Sequence, residues 1–335
     1  MTAHPRLFPP CDFRRHPVGP SELSKPVPEL PFSIDDHLLR SPHLSPLRWP
    51  GSKRRLVGAI TQLIAANLEE PPALFVEPFA GGASVSLRLF LDGRVERAWI
   101  NDADPLVYAF WRTAAFDTCW LIDAMEQEPI TVERWEHHRA SNPTSLRDRA
   151  LKCLFLNRTT FSGILHRGAG PIGGKGQTSE NKIDCRFNKA ELADRLRLVG
   201  ALATCGRIVE VTGLDYADLL ERLRHEVTIS AERVVVYLDP PYVEKAATLY
   251  ASSFDTEAHD RLANVLSSLP WPWILSYDDH ADVHERFADA GVTTLRVDHA
   301  HTAATGKMRA AKCELLLTSM RETRPQDHLY ARTGA

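Results

Sequence analysis

No stretch of this 335-residue chain approaches the roughly 18 to 20 consecutive apolar residues that a membrane span requires. Its opening, MTAHPRLFPPCDFRRHP, lacks the apolar core of a secretory signal. Both absences predict a cytoplasmic protein with no membrane partner. Paired cysteines are missing too. Cys11, Cys119, Cys153, Cys185, Cys205 and Cys313 lie far apart with no C-x-x-C among them, which is the usage of a reducing compartment rather than of a disulfide or zinc framework. There is no excess of positive charge either. With 40 Lys and Arg against 43 Asp and Glu, the net charge of −3 excludes a protein that is basic all over, so any nucleic-acid surface has to be local.

What is present is 44% hydrophobic and 25% charged, an ordinary globular composition with chain enough for about two domains. The charge is unevenly spread. Between Ser145 and Glu210 twelve Lys and Arg, among them Arg158, Arg167 and Lys175, face six Asp and Glu. Such a run is either a solvated helical face or a nucleic-acid surface. The first 45 residues are rich in proline, carry no sustained apolar period and read as an extended tail outside the fold. From Arg54 to Leu68, Leu56, Ile60, Leu63, Ile64 and Leu68 recur at helical spacing before Pro71. An apolar strand at Ala73 to Glu77, the glycine turn PFAGGAS, a helix to Leu91 and a second strand at Arg97 to Asn101 follow. Residues 113 to 204 are mostly helical, interrupted by Gly168 to Gly176, which predicts a mobile loop. Apolar strands return at Val234 to Leu238, Trp273 to Tyr277, Thr293 to Val297 and Cys313 to Thr318, with a helix at Glu257 to Leu269. Continuous apolar strands alternating with helices predict an α/β fold whose mainly parallel sheet is covered on both faces. Gly174-Lys175 does not make a phosphate loop, because Ala169 holds the first glycine position and Gly176 the Ser/Thr position.

Two features carry chemistry. The glycine turn, with Phe79, Gly81 and Gly82, sets backbone N–H groups at the mouth of a sheet, and Asp102, twenty positions after Gly82, ends the next strand. An acidic side chain there can accept hydrogen bonds from both ribose hydroxyls, which points to a nucleoside-containing cofactor. The glycines do not fit G-x-G-x-x-G, so the small turn suits the phosphate-free methionine arm of S-adenosylmethionine better than a pyrophosphate. The alternative for Asp102 is a helix N-cap ahead of Pro105. The second feature is Asp239-Pro240-Pro241-Tyr242. Two prolines directly after an apolar strand end its ladder and fix a rigid loop with free carbonyls. Asp239 and the Pro240 carbonyl can each accept a hydrogen bond from an exocyclic amine, freeing its lone pair, while Tyr242 stacks on the base. A base inside a duplex is out of reach and must be flipped out.

At this point the sequence resembles the DNA adenine-N6 methyltransferases of the DNA adenine methylase type. Residues 46 to 320 carry the likeness in order. Leu47 to Lys53 (LRWPGSK) is similar to the family's W-x-G-x-K opening, Phe75 to Ala83 (FVEPFAGGA) to its V-E-P-F-x-G-x-G turn, Ile100-Asn101-Asp102 to its acidic strand end, Leu156 to Gly163 (LNRTTFSG) to its L-N-R stretch, and Asp239 to Tyr242 to its D-P-P-Y. The resemblance implies a Rossmann-like S-adenosylmethionine-dependent methyltransferase sheet with a mainly helical inserted DNA-recognition domain. The catalytic domain would span 46–112 and 205–320, the insert 113–204, and tails 1–45 and 321–335. It also implies that Trp49, Lys53, Asp102 and Asp239 contact S-adenosylmethionine, with Asp239 gripping the adenine amine, and that Asp215 and Tyr216 lie beside the cofactor's adenine ring. Arg158, Arg167 and Lys175 are the expected DNA contacts; the alternative for Arg158 is a carboxylate partner that holds the insert to the core. Double-stranded DNA is the expected partner, with a cognate restriction endonuclease as a further candidate.

Two departures from the family stand out. Ala83 replaces the last glycine of the turn, where a positive φ is costly for a side chain, and His166 to Lys189 follows no familiar pattern. Direct transfer needs neither a cysteine nor a metal, and His299 with His301 makes at most half a metal site. Competing readings are an RNA methyltransferase, a cytosine-N4 methyltransferase, which tends to carry Ser in place of Asp239, and an inactive DNA-binding protein of the same fold.

Overall fold

The computed structural model describes residues 38, 40–41, 43–49, 51, 53–166, 168–241, 255–288, 291–299 and 312–321. Five parallel strands, β1 (Leu74–Glu77), β2 (Ala98–Asn101), β3 (Ile208–Thr212), β4 (Val234–Leu238) and β5 (Trp273–Asp278), are joined by β6 (Thr293–His299) and β7 (Lys312–Thr318) in the order β3-β2-β1-β4-β5-β7-β6. β7 lies antiparallel between β5 and β6. β1, β2, β4 and β5 are buried at every position, which is why they read as unbroken apolar runs.

Alternate strand residues feed two cores. Phe75, Ile100, Val211, Val235 and Ile274 face one, with α1 (Val57–Asn67), α2 (Ser84–Leu91) and α3 (Pro105–Phe116) packed over them. Leu74, Val76, Trp99, Val236 and Leu275 face the other, beneath α8 (Tyr216–Glu226), α9 (Thr256–Ser267) and α10 (Ala281–Arg286). This is the two-residue period of a strand sorting side chains to opposite faces. None of the described helices is long and apolar enough to cross a membrane.

Between β2 and β3 the chain adds α4 (Thr118–Gln127), α5 (Val132–Ala140), α6 (Leu146–Thr159), a 3-10 turn at Phe161–Gly163 and α7 (Lys189–Thr204). α6 and α7 pack against α3. α3 itself runs through the boundary expected at residue 113, because Phe110, Trp111 and Ala114 on it are core residues shared by sheet and insert.

Two expectations are corrected. The segment before residue 46 is not all outside the fold. Leu38 and Leu44 are buried in the first core, and the Ser45 carbonyl accepts a hydrogen bond from Arg195 Nη1 at 3.1 Å. The glycine-rich stretch 168–176 is also pinned where it is described. Thr160 bridges Pro171, Ile172 N donates to Thr159 O at 2.8 Å, and the Gln177 amide donates to Ile172 O and Gly174 O while accepting from Ile183 N.

Candidate active site

β1 and β4 are adjacent parallel strands whose connections run to opposite sides of the sheet, and the crevice outside their carboxyl ends is where an open α/β sheet receives a ligand. The glycine turn leaves β1 there, and Asp239-Pro240-Pro241 leaves β4. Asn101, buried at the end of β2, ties the neighbouring loops together. Its amide donates to Pro78 O and Leu214 O at 2.9 Å each, and its oxygen accepts from Thr212 Oγ1 at 2.8 Å and Leu214 N at 2.9 Å. All four of its hydrogen-bonding positions are used, so the ends of β1, β2 and β3 are held as one rigid edge.

The turn is shaped by tryptophans. Gly81 has φ +47°, and a Cβ placed on it would lie 2.5 Å from Trp49 Nε1, so the indole occupies the space that a side chain would need. Trp111 Nε1 donates to Gly81 O at 2.8 Å from beneath. Ala83 adopts φ 43°, ψ 33°, the left-handed conformation that the missing glycine would have eased, and it begins α2. A methyl side chain bears this strain where a branched one would not.

Asp102 does not cap a helix. Asp104 does, its Oδ1 accepting from Leu106 N at 2.8 Å and Val107 N at 3.4 Å, with Pro105 at the first helical position. Asp102 instead accepts from Gly81 N at 2.8 Å on Oδ2 and from Asp104 N at 2.9 Å on Oδ1. Each oxygen keeps a second lone pair. Burial, and then the Asp104 carboxylate, push its carboxyl up to about 7. Beyond β3, Asp215 caps α8 by accepting from Ala217 N at 3.0 Å, and the buried Tyr216 ring packs 5.4 Å from Phe79.

At the end of β4, Lys53 Nζ bonds Asp239 at 2.8 Å from Oδ1 and 2.9 Å from Oδ2, and donates to Gly51 O at 2.8 Å. The Lys53 side chain is 6% exposed. Ser276 Oγ, from β5, donates to Asp239 Oδ1 at 2.9 Å and lies 3.1 Å from Tyr237 Oη. Burial pushes the Asp239 carboxyl up, while Lys53 and Ser276 pull it back. The carboxylate is therefore oriented from both sides. Ser276 had no sequence signal, since it sits inside the apolar run WILSY. Pro240 is buried behind Asp239, and Tyr242 lies outside the described residues.

Trp49, Lys53, Phe79, Gly81, Gly82, Asp102, Asp215 and Asp239 are thus all placed along the carboxyl edge of the sheet. The expected DNA contacts are not among them. Arg158 is 7% exposed and donates from Nε to Pro46 O at 2.7 Å, and from Nη2 to Pro46 O and to Ser45 O at 3.4 Å. It holds the segment before Trp49 through main-chain carbonyls rather than a carboxylate, and burial lowers it to about 9. Asn157 clamps the same segment. Its oxygen accepts from Arg48 N at 2.6 Å and its amide donates to Arg48 O at 2.8 Å. Lys175, 72% exposed, pairs with Glu136 at 2.7 Å. Arg167 lies outside the described residues.

Of the described basic side chains between Arg147 and Arg197, Arg186 alone has no bonded partner; the others hold carboxylates or carbonyls. It shares two adjoining open cavities of ≈ 520 and ≈ 690 Å³ with Arg48, whose Nη1 is buried with no hydrogen-bond partner among the described residues. The first cavity also touches Trp49 and Ser84, beside the glycine turn, and the second is edged by Phe161, 67% exposed.

A model of the family described as D12 class N6 adenine-specific DNA methyltransferase matches residues 49–300. The chain belongs to this family. It is an adenine-specific DNA methyltransferase, and its seven-stranded sheet is the Rossmann-like methyltransferase sheet that the sequence predicts. No curated protein matches it. Two solved structures of the rRNA methyltransferase aviRa from Streptomyces viridochromogenes share 13% identity over 88% of this methyltransferase and 96% of that chain, with TM-scores of 0.41 and 0.36. A likeness that remote bears on neither the fold nor the substrate.

Proposed function

We propose that this methyltransferase takes the methyl group from S-adenosylmethionine and delivers it to N6 of an adenine turned out of duplex DNA. The observation that carries this reading is Asp239, held by Lys53 and Ser276 at the end of β4, on the same sheet edge as Asp102. The donor set fits a nucleoside cofactor without phosphates. Asp102 has lone pairs left for ribose hydroxyls, Phe79 and Tyr216 offer an aromatic flank, and no cation on the glycine turn asks for a pyrophosphate. When bound, the cofactor supplies an electrophilic methyl group on sulfur. Asp239 and the Pro240 carbonyl would each accept a hydrogen bond from one N6–H, so the nitrogen lone pair leaves ring conjugation and becomes nucleophilic. A bond to an ionised acceptor is worth about 1.5 to 3 kcal/mol, which is why a carboxylate is used there. Tyr242 stacks on the extruded base and restores part of the lost stacking.

The DNA lies over the Arg48–Arg186 cleft rather than against Arg158 or Lys175. Two guanidiniums without partners among the described residues, beside an exposed aromatic, Phe161, suit a phosphate backbone and unstacked bases. The test is transfer of labelled methyl groups from S-adenosylmethionine to duplex DNA, followed by nucleoside analysis. N6-methyladenine in duplex DNA is expected; N4-methylcytosine alone, or label in RNA alone, overturns the assignment.

A further inference from the structure

His166 sits just after the 3-10 turn of the insert, and its Nε2 bonds Asp104 Oδ2. Asp104 is the cap of α3, and its own amide donates to Asp102 Oδ1 at 2.9 Å. A short chain of contacts therefore runs from the insert through Asp104 to Asp102 and on to Gly81 N, 2.8 Å from Asp102 Oδ2. The far side of the loop is fixed as well. Arg139 of α5 donates to the carbonyls of Leu165 at 2.7 Å, His166 at 2.5 Å and Ala169 at 3.2 Å. The backbone of His166 thus belongs to the insert while its ring reaches the cofactor side of the sheet.

Asp102 and Asp104 lie two residues apart, and like charges that close favour protonation of one of them. An acceptor of two ribose hydroxyls has to remain an ionised carboxylate. We infer that His166 is a positioning residue: it fixes Asp104, and through Asp104 it keeps Asp102 aimed and available as the ribose acceptor. The inference rests on the reading of Asp102 given above. The groups facing this chain are few. Cys153 of α6 is held neutral, its thiol pushed well up by burial and then by Asp104 and Asp102. Arg139 is engaged with carbonyls, and burial lowers it. For Asp102, burial and Asp104 act upward, while the hydrogen bonds from Asp104 N and Gly81 N, and then His166, act downward. Removing His166 takes away one of these downward effects, so Asp102 takes up its proton at a higher pH and cofactor affinity is lost from the acidic side.

The test measures S-adenosylhomocysteine affinity by calorimetry on the full chain from about pH 5.5 to about pH 9.5, for wild type, His166→Gln, His166→Ala and Asp102→Asn. In the wild type, affinity should rise through about pH 7 whatever happens to any variant. His166→Gln, which keeps a side-chain hydrogen-bonding group, should bind a few-fold more weakly near neutral pH and match wild type near pH 9, because an upward move of the Asp102 carboxyl lowers its ionised fraction only where it titrates. His166→Ala should show the same shift with a small residual loss at high pH. A loss in His166→Gln that is equal at every pH overturns the inference, since it makes His166 a mere prop for the loop. Unchanged affinity in both His166 variants, with Asp102→Asn impaired, overturns it as well. Wild-type affinity in Asp102→Asn instead removes the reading of Asp102 itself, and the two failures are told apart by that variant.

Discussion

Lys53 and Asp239 are 186 positions apart in sequence, yet Lys53 Nζ lies 2.8 Å and 2.9 Å from the two carboxylate oxygens of Asp239. The amine that the resemblance assigns to the cofactor is thus a partner of the carboxylate assigned to the adenine. On the proposed reading, cofactor and base meet at this one ion pair.

Removing either member has a cost in folding and a cost in rate. Asp239→Ala should lower methyl transfer several hundred-fold or more, because at least two charge-assisted hydrogen bonds disappear. It also takes the carboxylate away from the buried Lys53 ammonium, so the melting temperature should fall as well. Asp239→Asn, which keeps the shape and the Ser276 contact, should lose rate with a smaller drop in melting temperature. Single-turnover methylation alongside calorimetric melting separates the two effects.

Lys53→Met should change the pH dependence of catalysis. Lys53 is a downward influence on the Asp239 carboxyl and burial an upward one. Without the ammonium, Asp239 protonates at a higher pH, and the acidic limb of the kcat/KM profile should move upward, measured over the range in which the folded protein is stable.

Arg158→Ala should be a stability mutation, not a DNA-binding one. Its guanidinium holds Pro46 and Ser45 carbonyls in a buried setting, so a loss of about 2 to 4 kcal/mol in chemical denaturation is expected. The salt dependence of DNA binding, measured where the variant is folded, should keep its slope.

Arg186→Ala should do the reverse. The side chain is exposed and makes no bond among the described residues, so unfolding should be within about 0.5 kcal/mol of wild type. DNA affinity should fall across all sequences, with the slope of log affinity against log salt reduced by about one. An unchanged slope would remove Arg186 from the DNA face.

Glu77 predicts a pH dependence of stability. It is buried at the end of β1, accepts from Ser86 Oγ at 2.6 Å, and burial raises its carboxyl from 4.5 to about 8. A carboxyl raised in the folded state binds its proton more tightly there than in the unfolded chain. Its contribution is complete below about 4.5 and is lost as pH rises through about 8. Glu77→Gln should flatten the fall in melting temperature across that window.

Some of this was legible in the sequence for simple reasons. β4 and its Asp-Pro-Pro exit announce themselves because an unbroken apolar run can only be a doubly covered strand, and two prolines can only end it. Asp102 could be placed, since it follows the next strand after a glycine turn. The role of Arg158 was hidden. Its partners are carbonyls 112 and 113 positions away, and a carbonyl leaves no mark on a sequence. Charge counting failed in the insert for the same reason. Lys152, Lys182 and Lys189 donate to backbone oxygens, so net charge alone overstates how many of the described cations stand free. Leu38 and Leu44 were hidden by the prolines around them, although two isolated leucines are enough to seat a segment once arginines hold its carbonyls.

Asn157 and Arg158 belong to the insert, but what they grip is the strap of residues 45 to 48, which delivers Trp49 to the glycine turn and Lys53 to Asp239. The insert is therefore not a detachable reading head. Exchanging it for that of a relative, in the hope of transplanting a target sequence, would cut the moorings of the strap and disturb the proposed methyl-donor pocket, unless residues 45 to 53 travel with the graft.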